Sequence, residues 1–170
     1  MLQFTYAEQC FIIAESIEEG WVPGSAQEYY ENGVRSILKY YMTLSSALPG
    51  NLHGMAITQD YIDNYFTGEA AYKTAGTKED RLEQIITQRW LLDFFQGNSL
   101  FSYKTFLRTG YPQFPLNPAT SLNPESPSEF PKRWKYPTSE LTTNAENYNK
   151  AIQEQFGGFD GINKAAWWLQ

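Results

Sequence analysis

Proline constrains the fold of this chain more than any other residue, because its distribution is strongly uneven. Seven of the nine prolines lie between residues 109 and 143. Proline lacks a backbone donor and fixes φ, so this stretch cannot form a regular helix and is a poor centre for a β-sheet. The sequence predicts an ordered extended segment here, which we call the wrap (residues 109–143). Its rings, Phe114, Phe130, Trp134 and Tyr136, are expected to be buried.

Before the wrap, apolar residues recur at helical spacing and the breaks between them carry helix caps. Ser25 with Glu28 forms a predicted capping box, Thr58 and Thr77 are predicted N-caps, and Gly97 is a predicted stop. The expected buried stripes are Phe4, Ala7, Cys10, Phe11 and Ala14 in the first helix, Tyr30, Val34, Ile37, Leu38 and Tyr41 in the second, and Leu82, Ile85, Ile86, Trp90 and Phe94 in the strongest one.

After the wrap, the stretch "TTNAENYNKAIQEQFGG" predicts one more helix with Asn144 as its cap, and "AWW" at 166–168 is expected to act as a C-terminal plug. No segment shows a convincing strand pattern. We therefore expect an all-α fold in which residues 1–170 form a single domain. It would consist of a helical scaffold at about 3–108, the wrap, and a terminal helix and tail at about 144–170.

Charge and residue counts exclude several classes of function. The net charge is −6 and the basic residues are scattered, which disfavours a nucleic-acid partner. One histidine (His53) and one cysteine (Cys10) cannot supply a zinc set or a nucleophilic triad, so we expect no metal, no cofactor and no catalytic residue. Two carboxylates could still hydrolyse a glycoside. The candidate acids are Asp60, Asp63, Asp93 and Asp160.

Two arginines each precede an aromatic-proline pair, in Arg108-Thr109-Gly110-Tyr111-Pro112 and in Arg133 followed by Tyr136-Pro137. Rings and guanidinium groups could form a sugar-binding surface, because planar faces stack on pyranose C–H groups. In the structural interpretation, which we favour, each arginine binds free carbonyls while ring and proline hold the wrap on the helices.

Five ordered stretches resemble the C-terminal part of the SusD/RagB family of outer-membrane nutrient-binding lipoproteins of Bacteroidota. They are "TYAEQCFIIAE", "YYENGVRSILKYY", "IITQRWLLDFFQGNSLFSYKTFLRTGYP", "KRWKYPTSELTTNAENYNKAI" and "GGFDGINKAAWW", and together they cover nearly the whole chain. The resemblance implies tetratricopeptide-like helix pairs and a non-enzymatic role in capturing oligo- or polysaccharide at the cell surface. It also implies delivery to a SusC-like TonB-dependent transporter.

The family resemblance implies that full members are much longer, so we expect this chain to be a C-terminal segment that lacks the signal peptide and the lipidated cysteine. Most sugar contacts are then expected outside it, and the weak candidates within it are Tyr61, Tyr65 and Tyr72. The alternative is a helical-repeat scaffold that docks a protein partner such as the transporter without touching sugar. Exposed apolar helix faces predict self-association.

Overall fold

The computed structural model describes residues 4–48, 50 and 55–169, so the single histidine, His53, lies outside the described residues. The chain divides into two compact units, Met1–Pro112 and Gln113–Gln170. Seven α-helices and no strand occur within the described ranges, which confirms the all-α prediction. That residues 1–170 act as one domain stays a prediction.

The first unit contains five α-helices. They are α1 (Tyr6–Glu18), α2 (Ala26–Ala47), α3 (Gln59–Asn64), α4 (Lys78–Gln96) and α5 (Ser99–Thr109). Helix α1 packs on α2 and α4, and α4 packs on α5. Short connections make successive helices neighbours, which is the helix-pair arrangement of tetratricopeptide-like folds.

The N-caps form where the sequence places them. Thr77 and Asp80 make a complete capping box at α4, because each side chain accepts a hydrogen bond from the other residue's backbone N–H. Ser25 accepts a hydrogen bond from the N–H of Glu28 at 3.2 Å, but the return bond from Glu28 predicted for a full box is not formed. Thr58 caps α3, and Gly97 ends α4 in the left-handed conformation.

The core of the first unit joins α1, α2 and α4. Its buried members are Ala7, Phe11, Ala14, Tyr30, Val34, Ile85 and Leu92. Two residues of the predicted stripes are exposed instead of buried, since Phe4 is 82% exposed and Phe94 is 62% exposed. Phe4 precedes α1, and Phe94 lies one turn from the end of α4, where the neighbouring helices no longer cover that face.

The second unit contains α6 (Glu140–Thr143), α7 (Ala145–Phe156) and two 3₁₀ turns at Pro118–Thr120 and Trp167–Leu169, with extended chain elsewhere. Ile152, Phe156 and Ala166 are its buried apolar residues among those described. Trp134, Trp167 and Trp168 are exposed, so the predictions of a buried Trp134 and of a C-terminal tryptophan plug are wrong for this chain.

Asn144 precedes α7 as predicted, but it does not cap the helix. Its amide nitrogen donates to the Glu140 carboxylate at 3.0 Å, and its oxygen accepts from the Asn147 amide at 2.7 Å. The side chain is therefore held by two neighbouring side chains instead of by a free backbone N–H.

Candidate ligand-binding groove

An apolar groove opens between α2, α3 and α4, with a cavity volume of about 420 Å³. This volume lies in the range of small-molecule sites, which are lined mainly by apolar and aromatic groups with a few polar ones. Among the described residues, its aromatic lining is Tyr41, Tyr61, Tyr65 and Phe95, and its polar lining is Ser45 and Gln88. None of the described lining residues carries a charge, so this part of the groove suits a neutral ligand.

One wall of the groove comes from the segment capped by Thr58. Tyr61 and Tyr65 are four residues apart and therefore lie on one helical face. Their rings meet edge to face, with centroids 5.7 Å apart, and Tyr61 is 48% exposed. Burial raises the pKa of the Tyr61 hydroxyl, with a further contribution from Tyr65, so it stays a neutral donor at physiological pH.

The opposite wall comes from α2 and α4. The rings of Tyr41 and Phe95 meet edge to face at 6.0 Å, and burial also raises the pKa of Tyr41. The amide of Gln88 donates to the hydroxyl of Tyr65 at 3.4 Å, which links the two walls. Sequence reasoning did not identify Tyr41, Gln88 or Phe95 as groove residues, because helical periodicity assigns Tyr41 to the core stripe and gives no signal for the others.

Tyr72, the third tyrosine predicted as a ligand contact, does not line the groove. Its hydroxyl donates to the carboxylate of Glu18, and its ring lies 5.4 Å from that of Tyr30. Burial, followed by the hydrogen bond to Glu18, strongly raises the pKa of Tyr72. The structure thus brings Tyr61 and Tyr65 together and places Tyr72 in a separate polar contact between α1 and the α3–α4 connection.

The Arg108–Pro112 stretch forms the end of α5 and the turn after it. Arg108 donates to the carboxylate of Glu15 at 2.5 Å, so its partner is an acid of α1 and not the free carbonyls expected from the sequence. Gly110 ends the helix with a φ of 75°, which only glycine adopts readily. The Thr109 hydroxyl accepts from the N–H of Tyr111 at 3.1 Å, and the Tyr111–Pro112 bond is cis.

Arg133 is the centre of the second motif and is almost fully buried. Its guanidinium donates to Asp160 at 2.5 Å and to the carbonyl of Gly161 at 3.1 Å, and it lies 4.0 Å from the centre of the Phe156 ring. Asp160 also accepts from the backbone N–H of Tyr136 at 3.0 Å. The motif therefore holds the extended chain to the segment that follows α7.

The four candidate acids have different surroundings. Asp60 and Asp63 lie on the exposed face of α3 and accept hydrogen bonds from amides of the same helix. Asp160 is bound by Arg133. Asp93 is buried, and burial followed by the charge of Glu8 raises its pKa to about 6.

The described ranges contain no group of three or more His, Cys, Asp or Glu side chains that could hold a metal ion. No helix in these ranges is long and apolar enough to span a bilayer.

Comparisons with known proteins agree on one family. A family described as SusD-like, "Susd and RagB outer membrane lipoprotein", matches residues 1–169. No curated protein matches the chain.

Solved structures also match over nearly the whole chain. A SusD homologue from Bacteroides fragilis NCTC 9343 is 39% identical, with a TM-score of 0.78, and the match covers 98% of this chain and 35% of that one. A chitin-binding protein is 34% identical, with a TM-score of 0.71 and coverages of 99% and 33%. A chitin-binding SusD homologue from Flavobacterium johnsoniae is 25% identical, with a TM-score of 0.64 and coverages of 96% and 36%. The chain thus spans about a third of the length of these structures.

Proposed function

We propose that this chain, which belongs to the SusD/RagB family of outer-membrane lipoproteins, contributes a neutral-glycan contact to a non-catalytic nutrient-binding protein at the cell surface. The contact surface is the groove between α2, α3 and α4. Tyr61 and Tyr65 form one side of it, and Tyr41 and Phe95 form the other.

The observation that carries this proposal is the combination of aromatic walls with a lining whose described residues are all uncharged. Aromatic faces bind the C–H faces of a sugar ring, while a few polar groups fix its orientation. The hydroxyls of Tyr61 and Tyr65, the hydroxyl of Ser45 and the amide of Gln88 supply these polar groups. An anionic polysaccharide would gain no cation from the described lining residues and would lose hydration, so the groove favours neutral sugars.

Two of the matched structures are named as chitin-binding, which supports a neutral glycan and makes chitin oligosaccharides the first ligand to test. Calorimetric titration of the full-length protein with chitohexaose is compared with titration by cellohexaose and by an oligogalacturonate. We expect binding of at least one neutral oligosaccharide and none of the anionic one. Absence of binding across a broad neutral-glycan array would contradict the proposal.

Paired variants test whether the groove makes the contact. Replacing both Tyr61 and Tyr65 by alanine removes one wall and should weaken binding about tenfold or more, since an aromatic contact contributes roughly 0.5–1.5 kcal/mol beyond its area. Tyr6→Ala is the matched control, because Tyr6 is 58% exposed and does not line the groove. Equal affinity in the double variant and the control would place the sugar contacts elsewhere.

A second candidate function is docking of a protein partner, for which the family implies a SusC-like TonB-dependent transporter. The exposed rings of Trp134, Trp167 and Trp168 in the second unit favour it, since large exposed aromatics commonly mark interaction sites. Alanine substitution of all three should reduce co-purification of the transporter and leave glycan affinity unchanged. Retained co-purification would assign docking to another surface.

The proposal includes no bond cleavage. Incubation of the full-length protein with chitin, and with any polysaccharide it binds, should release no new reducing ends. Released ends that disappear when one of the four candidate acids is replaced would establish a glycosidase instead.

A further inference from the structure

The groove between α2, α3 and α4 contains more apolar surface than the stacking of a sugar ring uses. Besides its aromatic and polar lining, its described residues include seven apolar side chains without a ring: Val34, Ile37, Leu38, Met55, Ile57, Leu91 and Leu92. We call these seven the aliphatic lining. Aromatic faces stack on sugar C–H groups, whereas aliphatic side chains offer neither a flat face nor a hydrogen bond. The aliphatic lining therefore indicates a ligand that is itself apolar in part.

The aliphatic lining comes from both walls of the groove and is open to a ligand. Val34 of α2 and Leu92 of α4 are almost completely buried. Ile57, which precedes α3, and Leu91 of α4 are half-buried, so part of each side chain remains accessible. A sugar hydroxyl placed against these side chains would lose its water without gaining a hydrogen bond. The lining thus disfavours a sugar whose only substituents are hydroxyls.

An acetyl group fits this lining, because its methyl is apolar and the sugar that carries it stays neutral. In an N-acetylhexosamine, an acetamido group replaces one ring hydroxyl, which leaves one hydroxyl fewer to pair and adds one methyl to bury. A free amino sugar would instead bring an amine that takes up a proton. None of the described lining residues is a carboxylate that could pair with it.

The polar lining distinguishes an amide substituent from an ester. An acetamido group donates through its N–H and accepts through its carbonyl, whereas an O-acetyl ester only accepts. The amide of Gln88 and the hydroxyl of Ser45 can each both donate and accept. The Gln88 nitrogen donates to the Tyr65 hydroxyl, and its oxygen is the acceptor that an acetamido N–H needs. This set of groups therefore suits an N-acetyl substituent.

We propose that the groove recognises the acetamido group of an N-acetylhexosamine. The methyl lies against Ile57 and Leu91, and Gln88 and Ser45 bind the amide. Tyr61 and Tyr65 then contact the sugar ring itself. This inference rests on the proposed glycan-binding role of the groove, to which it adds the substituent that the ligand carries.

The test is calorimetric titration of the full-length protein with four trisaccharides. Chitotriose carries an acetamido group on each ring, and cellotriose has the same linkage with hydroxyls instead. An N-formyl analogue of chitotriose keeps the amide but lacks the methyl, and O-acetylated xylotriose has the acetyl group as an ester. We expect chitotriose to bind about fourfold more tightly than the N-formyl analogue, since one methyl is buried, and more tightly than the other two.

The outcomes separate this inference from the proposed function. Cellotriose that binds as tightly as chitotriose would overturn acetamido recognition and leave the groove as a neutral-glycan site. Absence of binding by every neutral oligosaccharide would reject both. Equal affinity for the N-formyl analogue would remove the methyl contact, and equal affinity for O-acetylated xylotriose would remove the role of the amide; either result overturns the inference.

Variants of the aliphatic lining locate the contact. Ile57→Thr and Leu91→Gln each place a polar atom where the methyl is expected, so each should lower the ratio of chitotriose to cellotriose affinity at least twofold. Leu100→Gln is the control, because Leu100 is 47% exposed on α5 and does not line the groove. Ile57 lies outside the helices and the core of the first unit, so Ile57→Thr keeps the test valid if Leu91→Gln does not fold. An unchanged ratio in Ile57→Thr, or an equal fall in Leu100→Gln, would overturn the assignment.

Discussion

The two compact units of this chain are stabilised in different ways. The first buries large apolar side chains of three helices, among them Phe11, Tyr30 and Ile85. The second buries only Ile152, Phe156 and Ala166 among its described hydrophobic residues and is held by polar contacts at specific atoms. Helices satisfy their own backbone groups and need only an apolar face, whereas a proline-rich segment must find partners for its backbone elsewhere.

Polar side chains and backbone carbonyls of other segments provide those partners in the second unit. Asn123 is buried, donates to the carbonyl of Glu129 at 3.2 Å, and exchanges amide hydrogen bonds with Asn163. The backbone N–H groups of Lys132 and Arg133 both donate to the carbonyl of Ile162. The comparison shows that an irregular segment can be ordered by a few directional contacts where hydrophobic burial is small.

The largest expected effect is the loss of stability of the second unit when Arg133 is replaced. Arg133→Ala leaves Asp160 buried without its cation, and loss of one partner of a buried pair costs about 3–5 kcal/mol. Chemical denaturation with hydrogen exchange over residues 113–170 measures this loss. Lys135→Ala is the control: its bridge to Glu125 at 2.9 Å is half exposed and should contribute less than about 1 kcal/mol. Equal losses in both variants would remove the proposed role of Arg133.

A smaller effect is the pH dependence of stability caused by Asp93, the buried acid of the first unit. The pKa of Asp93 is raised to about 6, so the folded state binds the proton more tightly than the unfolded chain, where aspartate titrates near about 3.9. Protonation of Asp93 therefore adds about 2–3 kcal/mol to the free energy of unfolding below pH 4. This contribution is lost as the pH rises through 6.

Asp93→Asn should remove this pH dependence and be the more stable protein above pH 6. The measurement is the free energy of unfolding between pH 4 and 7, with Asp63→Asn as the control. A stability difference between the wild type and Asp93→Asn that does not change over this range would contradict the raised pKa.

The next effect concerns Gly33, where α1 and α2 pack closely. A Cβ added at Gly33 would lie 2.9 Å from Cε1 of Phe11 and 3.2 Å from Cβ of Cys10. Overpacking costs roughly 1–3 kcal/mol, and the better helix propensity of alanine offsets up to about 1 kcal/mol of it. Gly33→Ala should therefore destabilise by about 1–2 kcal/mol, while the neighbouring Asn32→Ala should not. A stabilised Gly33→Ala protein would show that α1 and α2 pack less tightly than the 2.9 Å distance to Phe11 implies.

The smallest effect compares the two motif arginines. Arg108 is half exposed, and its partner Glu15 keeps a second cation, Arg89, at 3.6 Å. Arg108→Ala should cost about 1 kcal/mol, well below the loss for Arg133→Ala, in the same denaturation experiment. A loss as large as that of Arg133→Ala would make the two motifs equivalent and weaken the contrast between the units.

Local sequence signals predicted the helical elements well. Thr58 and Thr77 cap the helices that follow them, since a cap depends only on residues within one turn. The side-by-side placement of Tyr61 and Tyr65 follows from the same local geometry. The second wall of the groove could not be predicted, because Tyr41 and Phe95 come from helices far apart in the sequence.

Buried polar residues were the least predictable. Gln84 lies within a predicted helix and shows no signal of its own, yet its amide bonds the carbonyl of Ala71 and the N–H of Lys73 and so holds the connection before α4. The partners of Glu15 and Asp160 were equally hidden. Pairing of charged groups depends on which helices meet, and periodicity does not encode this.

The sequence by itself determined which segments form the long helices and to which family the chain belongs, because apolar spacing, caps and ordered motifs are local properties. It also excluded an α-helix from most of the proline-rich wrap, although the short helix α6 (Glu140–Thr143) forms at its end. Only the tertiary structure decided which tyrosines share a groove, which acids meet arginines, and which tryptophans stay exposed. These outcomes depend on contacts between distant segments, whose geometry is set by the packing of whole helices.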